Sequence, residues 1–281
     1  MILDQLTIVG VGLIGGSVGL AAKARGVART VVGVGRDDRT LARAAAGGAI
    51  DTYTTDIREG VAAADLVVVC TPVDRVAADV IASCHAAPPR CVVTDAGSTK
   101  GNILAAVTAK LPVGGAVFVG SHPLAGSEKK GAAHARADLF DGRLVVVTPV
   151  PDTDPEAAAV VDLFWRSLGA QVRRMGVAEH DLALAVTSHL PHAAAAALAA
   201  TTPVEYLALT AGGFRDCTRV AAGDPDLWAA IFAANRPAVL GALDTFLASL
   251  ADFRAALSAG DTRAVAAWLL AAKQVRDALG S

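Results

Sequence analysis

Net charge is almost absent from this chain: 25 Lys and Arg against 27 Asp and Glu leave a formal charge of -2, and neither sign forms a long run. That excludes the electrostatic footprint of a nucleic-acid binder or of a protein held on an anionic membrane, so neither partner is expected. Cysteine is scarce as well. Cys70, Cys84, Cys91 and Cys217 show no CxxC spacing, and Cys70 and Cys91 lie in apolar, strand-like runs, which suits buried reduced thiols and neither disulfides nor a metal site. A reducing, cytoplasmic setting is expected. The start of the chain lacks the basic segment and small-residue cleavage site of a signal peptide, because Met1 to Gln5 runs straight into a strand. No apolar run is both long and unbroken: Leu182 to Ala200 is interrupted by Ser188, His189, Pro191 and His192 and reads as a buried helix, so no membrane span is expected. Internal repeats and low-complexity linkers are missing too. What remains is a globular chain of 281 residues, 53% hydrophobic, enough for one large domain or two smaller ones.

The first motif follows the first strand. Leu6-Thr7-Ile8-Val9 runs into Gly10-Val11-Gly12-Leu13-Ile14-Gly15-Gly16 and then a helical pattern from Ser17 to Arg25. This is a GxGxxG turn in the strand-turn-helix context it needs. Gly10 allows the tight turn, Gly12 lets backbone approach a pyrophosphate, Gly15 lets helix pack on strand, and the phosphates sit at the helix N-terminus beside Leu13 and Ile14. The second strand, Thr30 to Val34, leads into Gly35-Arg36-Asp37-Asp38-Arg39. An NAD site places an acid here for the adenosine ribose, whereas Gly35 leaves room for a 2'-phosphate that Arg36 and Arg39 can grip, so NADP is expected. NAD is the alternative, with Asp37 or Asp38 serving the ribose.

Further strands follow at Ala49 to Tyr53, Asp65 to Cys70, Cys91 to Thr94, Ala116 to Val119 and Leu144 to Thr148, several of them continuous apolar runs as in a parallel sheet buried on both faces. The loop Thr71-Pro72-Val73 lies where such a fold passes under the nicotinamide. Asp95-Ala96-Gly97-Ser98-Thr99-Lys100-Gly101 precedes a helix that Ser98 and Thr99 are placed to cap. His122, followed by Pro123, is expected on a rigid loop at a strand end, where open parallel sheets bind ligands. If Ser98 reaches it, one ring nitrogen is held and the other is aimed at substrate.

Pro149 to Pro155 marks a composition shift, and a domain boundary is placed there: a dinucleotide-binding domain over 1–150 and a helical substrate and dimerisation domain over 151–281. The second part opens with a helix from Pro155 to Leu168 capped by Asp154, followed by an extended segment at Gln171 to Arg174. Glu179-His180-Asp181 then leads to Ser188-His189-Leu190-Pro191-His192, where a proline kinks the helix and the last two histidines share a turn. No carboxylate or thiol joins them at ligand spacing, so no metal is expected. Gly212 to Ala221 presents Arg215 and Arg219, either of them shaped to grip a carboxylate. Helices from Phe232 to Phe253 and Thr262 to Leu279 suit a homodimer.

Together these motifs resemble the prephenate and arogenate dehydrogenase family of tyrosine biosynthesis. The likeness rests on Val9 to Ser17, Asp95 to Gly101, Ser121-His122-Pro123-Leu124-Ala125-Gly126, Ser188 to His192, and Gly213 to Arg219 with Trp228, and it spans nearly the whole chain. It implies a Rossmann-type doubly wound parallel sheet followed by an all-helical dimerisation domain. It also implies oxidative decarboxylation of prephenate to 4-hydroxyphenylpyruvate with hydride transfer to NAD(P)+, or of arogenate to tyrosine as the alternative. By this resemblance His122 is the catalytic hydrogen-bond acceptor for the ring hydroxyl and Ser98 its partner. Arg219 binds a carboxylate of the dicarboxylate substrate, His189 and His192 join that pocket, and Glu128 stands at its mouth. Thr71 and Pro72 belong to the cofactor side. With a strand already at Leu6 and the end at Ser281, the extra mutase or regulatory domain that family members often carry is not expected. Two rivals stand further off: another reductase pairing a dinucleotide domain with a helical domain, and a non-catalytic NADP-binding sensor.

Overall fold

The computed structural model describes residues 2–126 and 131–280. Eight strands form one sheet: β1 (Leu3–Val9), β2 (Ala28–Val34), β3 (Thr52–Thr54), β4 (Leu66–Val69), β5 (Val92–Asp95), β6 (Val117–Pro123), β7 (Leu144–Thr148) and β8 (Gln171–Arg174). Their order is β3-β2-β1-β4-β5-β6-β7-β8, reversing beside β1 as a doubly wound sheet does. Helices α1 (Leu13–Ala24), α2 (Asp38–Ala46), α3 (Ile57–Val61), α4 (Val76–Ala86), α5 (Gly101–Thr108) and α6 (Pro155–Ser167) are interspersed with the strands. Strand alternation divides the core. Leu6, Ile8, Leu66 and Val68 face one layer, with Val18, Phe164 and Trp165, while Val9, Val67 and Val69 face the other, with Val76, Val80 and Val107.

Three sequence expectations change here. The sheet is not wholly parallel: β6 pairs parallel with β5 through Val119, then antiparallel with β7, placing His122 opposite Val146. Among the described residues no α-helix joins β6 to β7, so the helical crossover that parallel strands use is missing. His122 therefore lies inside a strand, not on the loop after one. Finally, α6 packs on the sheet and β8 extends it, so the sheet runs on to Arg174 and does not end at the boundary expected at 150/151. The prolines around residue 150 punctuate a strand-to-helix turn within the same layer structure.

The GxGxxG turn is built as its glycines demand. Gly10 has a φ of +93°, and a Cβ there would meet the Cys70 carbonyl carbon at 2.8 Å. At Gly15 a Cβ would sit 2.1 Å from the Gly10 carbonyl oxygen. Gly15→Ala must push α1 away from β1, so it is expected to cost roughly 1–3 kcal/mol of stability and to weaken cofactor binding about tenfold or more. Urea melts and a cofactor titration read the two effects, and unchanged affinity would show that α1 shifts without disturbing the turn.

After the sheet the described chain is helical: α7 (Val177–Leu184), a five-residue π-turn (Ala185–His189), α8 (Leu190–Ala200), α9 (Gly212–Thr218), a 3-10 turn (Arg219–Ala222), α10 (Pro225–Ala234), α11 (Arg236–Ser258) and α12 (Thr262–Asp277). The helix expected from Phe232 is in fact two, broken at Asn235. The chain forms two compact units, Met1–Asn235 and Arg236–Ser281. In the second, Asp261 caps α12 by accepting from the Ala264 N–H, Phe253 and Trp268 stack at 4.8 Å, and the Trp268 indole donates to Ser249.

Candidate active site

A cleft of about 840 Å³ opens at the C-terminal ends of β1, β2 and β4. Gly10, Gly12, Leu13, Ile14, Thr71 and Pro72 all line it, while Gly15 lies behind them against Gly10. No side chain caps the start of α1, and a Cβ on Gly12 would meet only open space, so these backbone N–H groups are left for a phosphate. The Thr71 hydroxyl is buried without a hydrogen-bond partner, as an amide-bearing ring resting on it would require. Arg36 lines the cleft too. Arg39 does not; its backbone N–H is bound to the Asp37 carboxylate, which caps α2 and also accepts from the Thr40 N–H and hydroxyl. That commitment, led by the Thr40 hydroxyl bond, holds the Asp37 carboxyl below its ordinary range.

Beyond β5 the sheet carries a polar network. The Asp95 carboxylate accepts from the Gly97 N–H at 2.9 Å, from the Ser121 N–H at 3.1 Å and from the Lys100 ammonium, which also donates to the Ser121 carbonyl at 2.9 Å. Burial pushes the Lys100 ammonium down despite that ion pair. The Ser121 hydroxyl donates to the Asp95 carbonyl at 2.6 Å and accepts from the fully buried Trp165 indole at 2.9 Å. These bonds fix the end of β6, one residue before His122.

His122 is buried, and its Nδ1 lies 3.0 Å from His180 Nε2. His180 Nδ1 lies in turn 2.9 Å from Asp181 Oδ1, and the same carboxylate accepts from the N–H groups of Lys100 and Gly101 at 2.9 and 2.8 Å. The polarity of this chain follows from its end. A carboxylate only accepts, so His180 Nδ1 donates to it; with a single proton on that ring Nε2 is the acceptor, and His122 Nδ1 donates to it. His122 Nε2 is left with its lone pair and has no partner among the described residues. Burial first, then the neighbouring His180, Lys100 and His189, hold His122 well below 6.5. For Asp181 burial pushes the carboxyl up, but the bonds from His180, Lys100 and Gly101 outweigh it and hold the carboxyl below its ordinary value. His122 is therefore more strongly held neutral than an imidazole poised near neutrality.

Asn235, buried at the end of α10, donates from Nδ2 to the Asp181 carbonyl at 2.8 Å and lies 3.2 Å from His189 Nδ1. Trp228 of α10 stacks on His192 with centroids 3.4 Å apart and meets His189 edge-on at 6.2 Å. Its neighbour Leu227 lines the dinucleotide cleft, so α10 touches both places.

The expected residues are brought together unevenly. His122, His189 and His192 gather in one cluster. Ser98 makes no hydrogen bond to His122, and neither it nor Thr99 caps α5; Asp181, 80 residues on, does so instead. Arg219 is exposed, on a turn packed against α8, and makes no ion pair among the described residues. Glu128 lies outside the described residues. Sequence reasoning passed over His180, Asp181 and Asn235. The one signal available was the pairing of an acid and a histidine at a helix start, which reads as a surface cap until the fold buries it.

Fold and site define an oxidoreductase that takes a nicotinamide dinucleotide. The comparisons narrow the class: residues 18–174 match the prephenate dehydrogenase nucleotide-binding domain and residues 177–271 the prephenate dehydrogenase dimerization domain, and the chain belongs to the prephenate dehydrogenase family. It is 36% identical to the cyclohexadienyl dehydrogenase of Zymomonas mobilis over 92% of this chain and 90% of that one. A crystal structure of prephenate dehydrogenase from Aquifex aeolicus, with hydroxyphenyl propionate and NAD+, aligns at a TM-score of 0.90 and 30% identity over 98% of both chains. Arogenate dehydrogenase from Synechocystis aligns at 0.85 and 28%, over 98% of this chain and 99% of the other. The resemblance read from the motifs is thus borne out, and the rival reductases are set aside. The family models meet near residue 175, where the sheet ends.

Proposed function

We propose that this protein oxidises prephenate with loss of carbon dioxide, the supporting observation being the His122 Nε2 lone pair held in place by His180 and Asp181. A nicotinamide dinucleotide held by the Gly10–Ile14 turn, Thr71 and Pro72 would supply the acceptor for the hydride that leaves the ring carbon bearing the hydroxyl. His122 Nε2 takes the hydroxyl proton as that hydride leaves. The ring carboxylate then departs as carbon dioxide, its bonding electrons enter the ring, and the phenolate oxygen retakes the proton from His122. Aromatisation drives the step downhill, so the chain's task is placement: burial strips water from His122, and the two-histidine relay shares the transient positive charge with Asp181. Arg219, His189 and His192 are proposed to meet the carboxylates, and Glu128 is kept as a proposed substrate-side residue; Ser98 precedes α5, whose first N–H groups bind Asp181, but is given no proton to carry.

NADP is the proposed partner of the reaction. Gly35 occupies the position of the ribose-binding acid, Asp37 is committed to α2, and Arg36 lines the cleft with its charge free for a 2'-phosphate. A homodimer through the helical part is proposed as well, supported by the dimerization domain match and by exposed leucines on α11 and α12 such as Leu247, Leu250 and Leu269. A cytoplasmic location belongs to the same reading and is supported by four free cysteines.

Initial rates with prephenate and arogenate against NADP and NAD test the proposal directly. Turnover of prephenate with a lower KM for NADP is the expected result, and Arg36→Ala should raise that KM about tenfold while leaving NAD unchanged. Turnover of arogenate alone would move the substrate, tighter NAD binding would overturn the cofactor assignment, and silence in all four mixtures would sink the reaction.

A further inference from the structure

His180 and His189 stand nine residues apart. On an unbroken α-helix, at about 100° per residue, that separation places them half a turn out of phase, on opposite faces. The π-turn at Ala185–His189 absorbs one residue, so the effective separation is about eight and the two rings come to within a quarter turn. Pro191, two residues after the turn ends, lacks the N–H that would pull the turn back into α register. The wide turn thus brings His189 to Asn235, which already spans from α10 to the Asp181 carbonyl.

The Asn235 contacts have a definite sense. The Asp181 carbonyl can only accept, so the group facing it is the amide nitrogen and not the amide oxygen. The second hydrogen of that same nitrogen points at His189 Nδ1, which must therefore be the unprotonated nitrogen of the ring. The His189 proton then sits on Nε2, which has no partner among the described residues. Burial holds His189 down to about 4, so the ring is neutral at physiological pH and donates only because of its tautomer. The groups bearing on it are Asp181 and His180 of α7, His192 of α8 and His122 of β6.

We propose that Asn235 is a positioning residue that fixes His189 as an uncharged Nε2–H donor, opposite in sense to His122, whose Nε2 accepts. The site then presents a matched pair of ring nitrogens: His122 receives the substrate hydroxyl, and His189 donates to a substrate oxygen that carries no proton, in a carboxylate or a keto group. This assignment of substrate contact rests on the proposed function; the tautomer itself does not.

Long-range nitrogen-proton correlation spectra of the six histidine rings in the full chain decide the tautomer, with His189 assigned by its loss in His189→Gln. The expected spectrum shows His189 neutral with a bare Nδ1 and a protonated Nε2 at pH 7. A protonated Nδ1 in the unaltered protein would overturn the proposal without any variant being made. Asn235→Asp should reverse the ring, because a carboxylate demands a donor at Nδ1. Its kcat/KM for prephenate should then fall about tenfold at pH 8 and recover as the pH is lowered, where a protonated ring donates from both nitrogens. Asn235→Leu, which leaves the tautomer free, should lose activity to the same degree at every pH. A loss in Asn235→Asp that is equal at all pH values, with the ring unreversed, would leave Asn235 a packing residue and refute the proposal. If the unaltered protein turns over neither substrate, the functional reading fails while the spectrum still stands on its own.

Discussion

His122→Asn is expected to lower kcat by a factor of about 10²–10⁴ while cofactor binding stays as it was. The reason lies in what the ring does that an amide cannot. His122 Nε2 is the one free acceptor at the end of a relay, and an asparagine of similar reach can accept a hydrogen bond but cannot take the proton. The dinucleotide cleft is lined chiefly by the ends of β1 and β2 and the loop after β4, and His122 is not among its lining residues, so its titration should not move. The pH profile carries a second reading. His122 works unprotonated, and burial holds it well below 6.5, so kcat/KM of the unaltered enzyme should stay level as pH falls through 6.5 and decline only in more acid solution. In His122→Asn that acid limb should vanish along with most of the rate. Retention of kcat to within about threefold would remove His122 from the chemistry.

Asp181→Asn should rival that loss, on the order of 10²–10³ in kcat, although the residue touches no reacting atom. Three donors converge on this carboxylate: the N–H groups of Lys100 and Gly101 and the His180 Nδ1–H. Oδ1 takes the bonds from His180 and Lys100 and Oδ2 the bond from Gly101, so the NH2 of an amide must face either the first two donors together or Gly101 alone. Facing His180, it turns that ring over, His180 Nε2 gains the proton, and His122 must then accept at Nδ1 and carry hydrogen on Nε2. The base becomes a donor. Facing the Gly101 N–H, it leaves two donors opposed and a buried group unpaired, which costs about 1–3 kcal/mol of stability. Single-turnover rates, cofactor titration and a urea melt separate these outcomes. A variant as stable and as fast as the parent would show that the relay does not set the tautomer of His122.

Much of the fold was legible because buried parallel strands are written as unbroken apolar runs, as in Leu66 to Val69, and because Gly10 and Gly15 each stand where a side chain would collide with backbone. His122 was legible because a histidine before a proline at the end of such a run has few structural reasons to be there. The antiparallel β7 was not, since Leu144 to Thr148 reads the same in either direction. Ser98 and Thr99 looked like caps for α5 by local rules, and a carboxylate from another part of the chain took the position. Asp181, His180 and Asn235 escaped because their meeting depends on tertiary approach and on a turn one residue wider than an α-helix. Periodicity alone places His180 and His189 apart. Arg39 was credited with a ligand because charge can be read from sequence and direction cannot.

The bond that the Lys100 N–H donates to Asp181 crosses the point near residue 175 where the two matched family domains meet. His122 thus belongs to one matched module, and His180 and Asp181, which are proposed to orient its proton, to the other. Recombining the first module of this chain with the second module of a distant relative would preserve both folds and still scramble the reactive nitrogen unless the Asp-His pair arrived with the same handed contact. Exchange of these modules between relatives is thus expected to fail or succeed on the placement of a single proton.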